Sequence, residues 1–482
     1  MTVGNEAQQA LEHARAGRMV EAEAVYERIL SRRPTDHNAL EKLGFIKRMT
    51  GRLDEALSLM TKLAGLLPNV PAAHVNVGNV LVDLGRAEEA YEHLTNAVQL
   101  KPDMPTARFA LGSACLATGR VEEAEQHLGA TLRLTGGHGE ALRLLSLITD
   151  VATDDAIIDA MQRMLTRPDL DDRSRMHLHY GLGNAFEKLG QFDKAFARFS
   201  MANGLIKRSG SLSLDLYRDY FQDLRETFDT RLIERLEVTR ERETTPIFVV
   251  GLPRCGSTVL ETMLSRHGSI GAGGEVNYLT EEVSRKLSAM TGARFPGCLT
   301  SVDSKTLEDL GQAYLDRLSK LAPGKTLIVD KNLAHFQVIG LIRVLLPHAR
   351  VVHVTRDPMD LGLSIFKNFF PENLPFYSDL GVLGRYYRLY QELMEQWRQL
   401  LPGFVLDISY EKLVADPETQ MRRVLEFCGL DWQSDCLSPE GSDRSIRTIS
   451  AMEARKPLHQ RSIGAWKRYE THLKPLKEAL QG

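Results

Sequence analysis

At 482 residues with 43% hydrophobic side chains, the chain is too long for one ordinary core and sets an expectation of two or three folded units. Its 60 Lys and Arg nearly offset 63 Asp and Glu, leaving a formal charge of −3. No global field draws it to nucleic acid or to an anionic membrane surface, so an anionic ligand must be held locally. Five cysteines (Cys115, Cys255, Cys298, Cys428, Cys436) without a CxxC pair exclude a disulfide framework or a zinc site. A reducing compartment follows. The N-terminus lacks the apolar core of a signal peptide, and no window approaches the roughly 18 apolar residues of a membrane span, which sets a cytoplasmic expectation without a membrane span.

Repetition dominates the N-terminal part. Gly17, Gly51, Gly85 and Gly119 lie 34 residues apart and each opens a Gly-Arg dipeptide. Ala22, Ala56, Ala90 and Ala124 keep the same phase, as do Pro34, Pro68 and Pro102, while Gly44, Gly78 and Gly112 sit seven residues before their turn glycines. This is the tetratricopeptide period: glycines for close helix packing and the tight turn, alanines to seat the second helix, prolines to close each unit. Such a helix hairpin cannot bury its apolar face alone, so neighbours must stack. The fourth unit replaces its closing proline with Thr135-Gly136-Gly137-His138-Gly139 and the fifth is degenerate; a last unit returns at Gly183, Gly190 and Ala195. The period is equally compatible with a rigid spacer, a homodimer surface and a groove for a peptide or protein. The expected domains are a repeat array over 1–207, a charged helical linker over 208–244 and an α/β domain over 245–482.

From Pro246 the pattern changes. PIFVVG, TLIVD, RVVHVT and FVLDIS are short Val- and Ile-rich runs separated by helical stretches, which predicts a mainly parallel buried sheet of P-loop type. After the first run, Gly251-Leu-Pro-Arg-Cys-Gly256-Ser-Thr reads as a tight turn into a helix. Backbone N–H groups of residues 254 to 258 there face a bound anion at the positive end of the helix, and the Ser257 and Thr258 hydroxyls add donors. Against GxxxxGK[ST], Ser257 stands at the lysine position and the cation is Arg254, which argues against a nucleoside triphosphate. In a second anchor, RDPMDLGLS, Arg356 ends a strand, Asp357 caps a helix that Pro358 begins, and Ser364 follows eight residues later.

These two segments resemble the sulfotransferase superfamily, whose loop binds the 5′-phosphosulfate and whose RDPxDxxxS segment binds the 3′-phosphate of PAPS (3′-phosphoadenosine 5′-phosphosulfate). The resemblance implies a PAPS-dependent sulfotransferase, with Arg254, Cys255, Gly256, Ser257 and Thr258 around the 5′ group and Arg356 and Ser364 at the 3′ group. Cys255 stands where that family has Ser or Thr. The order and spacing of Arg254 and Glu275, the latter in SIGAGGEVNYL, look specifically like tyrosylprotein sulfotransferases and imply that Glu275 is the general base; without that likeness, it reads as a surface glutamate on a Gly-rich loop. Lys331 in VDKN corresponds to the family lysine beside the transferring sulfuryl group; the plainer reading pairs it with Asp330. By the same likeness Ser450 contacts the sulfuryl region, Lys456 the phosphates and Tyr410 the nucleotide, while Gln460 to Lys467 closes over the 3′-phosphate with Arg461 and Ser462 as donors. Two positions depart from the family: Asn368 replaces an arginine and Ala465 a lysine, with Lys367 and Lys467 adjacent to compensate. No metal is implied. The acceptor is a hydroxyl on a protein tyrosine, saccharide, lipid or small molecule, and the alternatives are a P-loop kinase or triphosphatase and a non-catalytic repeat scaffold.

Overall fold

The computed structural model describes residues 3–150, 156–208, 213–236, 238, 242–370, 374, 376–438 and 460–482. Two compact units divide it, the first ending at Ala185 and the second starting at Phe186.

The first unit is a solenoid of helix hairpins: Val3–Arg15 with Met19–Arg32, His37–Met49 with Leu53–Leu66, Pro71–Asp83 with Ala87–Leu100, and Pro105–Thr118 with Val121–Thr135. The Gly-Arg dipeptides explain their sharp ends. Gly51, Gly85 and Gly119 take φ of 76°, 76° and 81°, and the amides of Arg52, Arg86 and Arg120 each donate 2.8 Å to the carbonyl five residues back. That closes the last turn of the first helix as a left-handed cap. The other glycine series sits at the helix crossing: a Cβ on Gly44, Gly78 or Gly112 would lie 2.7, 2.5 and 2.9 Å from Met60, Leu94 and Leu128. A continuous core through Leu40, Met60, Leu81, Leu94 and Leu111 joins successive hairpins. Where the closing proline is missing, the His138 side chain accepts from the Ala141 amide and caps the helix Gly139–Ile148 instead.

The second unit is built on five parallel strands, β1 (Thr245–Gly251), β2 (Ile270–Gly274), β3 (Leu327–Asp330), β4 (Arg350–Thr355) and β5 (Val405–Ser409), in the order β2-β3-β1-β4-β5. Four of these are the predicted apolar runs. The fifth, β2, was expected as a Gly-rich loop; its glycines serve close packing, since a Cβ on Gly271 would fall 2.4 Å from that of Ala322 and one on Gly273 would lie 2.8 Å from Leu318.

The stretch 208–244 is more than a linker. Helices Leu214–Thr227 and Thr230–Leu236, with Phe228 between them, bury Phe221, Leu224, Phe228 and Leu236 in the second unit. Phe228 meets Trp397 edge to face at 5.3 Å and Phe221 meets Phe336 at 5.9 Å, while Gly340 leaves room for the Phe228 ring, which a Cβ would approach to 2.5 Å. The last repeat-like helix, Phe192–Arg208, also lies in the second unit: Phe196 stacks on Phe366 at 5.5 Å and the Asn203 amide donates to the Phe366 carbonyl at 2.9 Å. The compact boundary therefore falls some twenty residues before the one expected at 207.

Phe228→Ala is expected to destabilise the second unit by about 3 kcal/mol, the usual cost of emptying a buried aromatic site. Denaturant unfolding of the full chain measures it, and a segment that merely connected domains would show almost no change.

Candidate active site

All five strands run the same way, so their carboxyl ends share one edge of the sheet, and each strand hands the chain directly to a candidate residue. Arg254 follows β1, Glu275 follows β2, Lys331 follows β3, Arg356 follows β4 and Tyr410 follows β5. This is the edge at which open α/β sheets bind ligands.

The turn after β1 carries the sharpest backbone constraint. Arg254 has φ of 70°, the one non-glycine with positive φ among the described residues, and Gly256 has φ of 104° before the helix Ser257–Ser265 begins. A left-handed arginine is costly and persists where its surroundings over-determine it. Here they do: its carbonyl accepts from Arg356 at 2.9 Å and its Nε donates to Ser364 Oγ at 3.1 Å. Gly256 is required for space as well, because a Cβ there would lie 2.2 Å from the Tyr410 ring. Cys255 is fully buried and burial pushes its thiol up, against the opposing pull of Ser257 and the charges of Lys331 and Arg356. Its side chain is packed in the interior.

Arg356 ties the edge together. Besides the Arg254 carbonyl it donates to the Ser462 carbonyl at 2.9 Å, and its guanidinium lies 4.9 Å above the Tyr410 ring. The Tyr410 hydroxyl in turn meets Ser462 Oγ at 3.0 Å. The Nε of Arg356 is buried with no hydrogen-bond partner among the described residues. Asp357 caps the helix Pro358–Phe366 by accepting from Met359 and Asp360, both at 3.0 Å. The second aspartate of the motif does something the sequence did not suggest. Buried Asp360 accepts from the amides of Gly464 at 2.6 Å and Trp466 at 2.9 Å, and so fastens the segment that carries Ser462.

At the other end of the edge lies a cluster of buried charges. The Lys331 amide donates to the Gly274 carbonyl at 2.7 Å. Its ammonium reaches Glu275 at 2.6 Å and Glu261 at 3.8 Å, with side-chain exposures of 4% for Lys331, 29% for Glu275 and 12% for Glu261. Burial works against the lysine charge, but the two carboxylates outweigh it and lift its pKa above the ordinary value. The plainer expectation of a Lys331–Asp330 pair is therefore replaced by a Lys331–Glu275 pair. Asp330 turns the other way, fully buried, and accepts from the Asn332 amide at 3.0 Å, the Val276 amide at 3.3 Å and the Tyr314 hydroxyl at 2.9 Å. It thereby fixes the turn that presents Glu275. An irregular register between Ala272 and Gly274, with Gly274 at φ of 74°, re-aims the chain at that turn.

The remaining expected residues divide. Ser257 and Thr258 are buried at the helix start, Arg461 is exposed, and Ser462 joins the Arg356 and Tyr410 network. Ser450 and Lys456 lie outside the described residues. Lys367 does not stand in for the arginine that Asn368 replaces, since it pairs with Glu187 at 2.5 Å; Asn368 donates to the Ser364 carbonyl at 2.7 Å. Asp330, Glu261 and Asp360 were missed. Among the described residues no cluster could hold a metal ion, and no helix is long and apolar enough to cross a membrane.

A tight glycine turn on the central strand of a parallel sheet, with two arginines at one end of the strand edge and a lysine–carboxylate pair at the other, defines a P-loop-type α/β domain. The profile of the Sulfotransferase family matches residues 246–434, and tetratricopeptide-repeat profiles match 8–71 and 81–148. The chain thus carries a sulfotransferase-family domain behind tetratricopeptide repeats. An uncharacterized protein of Aquifex aeolicus is 30% identical over 340 residues, 69% of this chain and 45% of that protein. Protein-tyrosine sulfotransferase 1 of Danio rerio is 23% identical over 235 residues, 46% of this chain and 65% of that protein. An omega-hydroxy-beta-dihydromenaquinone-9 sulfotransferase of Mycobacterium tuberculosis is 30% identical over 114 residues, 22% of this chain and 29% of that protein. The chain spans less than two thirds of the length of each of these relatives.

Asp330 supplies a pH test. Burial, only partly offset by its hydrogen bonds, pushes its pKa up to about 7. The folded chain then keeps a proton that the unfolded chain releases near pH 4, so Asp330 lowers stability as pH rises from about 4 towards 7. Asp330→Asn, which retains an acceptor for the Val276 and Asn332 amides, is expected to gain stability relative to the native chain across that window. Parallel melting curves at pH 5 and pH 8 check it; a constant gap contradicts it.

Proposed function

We propose that this chain transfers a sulfuryl group from PAPS to a hydroxyl acceptor, with Glu275 as the base. The observation that carries the reading is the buried Nε of Arg356, without a hydrogen-bond partner among the described residues and set beside Arg254 and Ser364 on the same strand edge as the Lys331–Glu275 pair. A 3′,5′-disubstituted nucleotide answers both ends. PAPS supplies the activated sulfuryl group, whose transfer joins sulfur to the acceptor oxygen and releases adenosine 3′,5′-bisphosphate.

The protein's own groups divide the remaining work. The amides of 254 to 258, with Ser257 and Thr258, hold the 5′ end, and Gly251 and Gly256 keep the cradle free of side chains; a Cβ at Gly251 would meet the Val354 carbonyl at 2.8 Å. Arg356, Ser364 and the segment around Ser462 hold the 3′ end, with Tyr410 as their platform and Asp360 fastening that segment. Glu275, the more exposed partner of its pair, takes the acceptor's proton, and Lys331 offsets negative charge beside it. Cys255 and Gly256 serve as backbone donors. Ser450 and Lys456 are retained as sulfuryl and phosphate contacts on the resemblance alone. The repeat array is assigned the acceptor or partner protein. A cytoplasmic setting is in keeping with five free, buried cysteines.

Three measurements test this. Calorimetry is expected to show adenosine 3′,5′-bisphosphate binding more tightly than ATP; the reverse order would favour a kinase or triphosphatase. Glu275→Gln is expected to cut transfer from labelled PAPS about a hundredfold or more while nucleotide binding persists. Asp360→Asn, which weakens the hold on Gly464 and Trp466, is expected to reduce bisphosphate affinity about tenfold, whereas a purely local structural role would leave affinity unchanged.

A further inference from the structure

We propose that Glu261 is a positioning residue that holds the charge of Lys331 while Glu275 takes up and gives away a proton. The inference rests on the reading of Glu275 as the base. Lys331 lies between two carboxylates of unequal character. Glu275, after β2, is close at 2.6 Å and partly exposed; Glu261, from the helix after the phosphate turn, stands off at 3.8 Å and is nearly buried. Only the first is placed to meet an acceptor.

Charge counting shows why the second matters. With both carboxylates ionised, these three side chains by themselves carry one net negative charge. When the acceptor's proton moves to Glu275, a neutral Lys331–Glu261 pair remains. Without Glu261 the same proton transfer leaves an ammonium buried beside a neutral acid, which low-dielectric surroundings resist. Protonation of Glu275 is then disfavoured and the base is weakened. Other groups face the cluster: Cys255 from the turn after β1 and Asp330 from the end of β3, with Tyr314 and His335 behind Asp330. The Cys255 thiol and Asp330 are buried, His335 is held neutral by burial with its pKa lowered to about 3, and Tyr314 is raised by burial. None of these takes the place of a carboxylate in ion-pair range of the ammonium.

The test compares Glu261→Gln with Glu261→Asp in the full chain, reading the pH profile of kcat/KM for labelled PAPS and the affinity for adenosine 3′,5′-bisphosphate. For Glu261→Gln the acidic limb is expected to move to lower pH and the plateau kcat to fall about tenfold, with affinity within about twofold of native. The aspartate variant is expected to recover most of the rate and the position of the limb. An unmoved limb with kcat within about twofold overturns the proposal, as does loss of bisphosphate binding in both variants, which would make Glu261 a structural part of the helix. The two readings fail separately: full transfer by Glu275→Gln removes the base itself, whereas an inactive Glu275→Gln beside an unaltered Glu261→Gln removes only the role of Glu261.

Discussion

Parallel pairing of β1 with both β3 and β4 is the constraint on which the site depends. The register sets Phe248 opposite Asp330 and Gly251 opposite Val354, so β1 and β4 end within one residue of each other while β3 ends three residues short of β1. Residues separated by more than a hundred positions, such as Arg254 and Arg356, can then exchange a hydrogen bond. A slip of one residue in β4 would reverse its alternation and withdraw the arginine from the carbonyl that its guanidinium holds.

Charge at this edge is managed by sending neighbouring side chains to opposite sides. Asp330 and Lys331 are adjacent in sequence, yet the carboxylate turns to amides and a tyrosine while the ammonium turns to Glu275 and Glu261. Each is buried without being the other's partner. Burial raises the acid, but the lysine keeps its proton because two anions oppose its desolvation. The other end of the edge follows a different rule, with Arg356 donating to two backbone carbonyls, those of Arg254 and Ser462, rather than to a carboxylate.

Much of this was legible in the residues. The repeats declared themselves because each of the four turns needs a left-handed glycine and three of the crossings a missing side chain, and such needs recur at fixed spacing. The two anchors were legible because strand, turn and cap chemistry are local. What could not be read depends on distant surfaces. The helix Leu214–Thr227 is charged enough to resemble a connector, and only the presence of Phe336 and Tyr386 on other elements shows which of its aromatics are covered. Similarly, β2 carries glycines that a loop would also carry, and their reason is a helix packed against them. Glu261 reads as one turn of an ordinary amphipathic helix until Lys331, seventy residues later in the chain, is folded against it.

The contact of Gly256 with the Tyr410 ring has an evolutionary consequence. A methyl group at 256 is sterically admissible only if the ring at 410 is lost, and loss of the ring removes the surface on which the Arg356 guanidinium rests. Neither position can drift alone without damage to a third. Glycine, tyrosine and arginine, on three separate turns, are thus expected to be inherited as a block, and a descendant domain that has lost one of them should show all three replaced together.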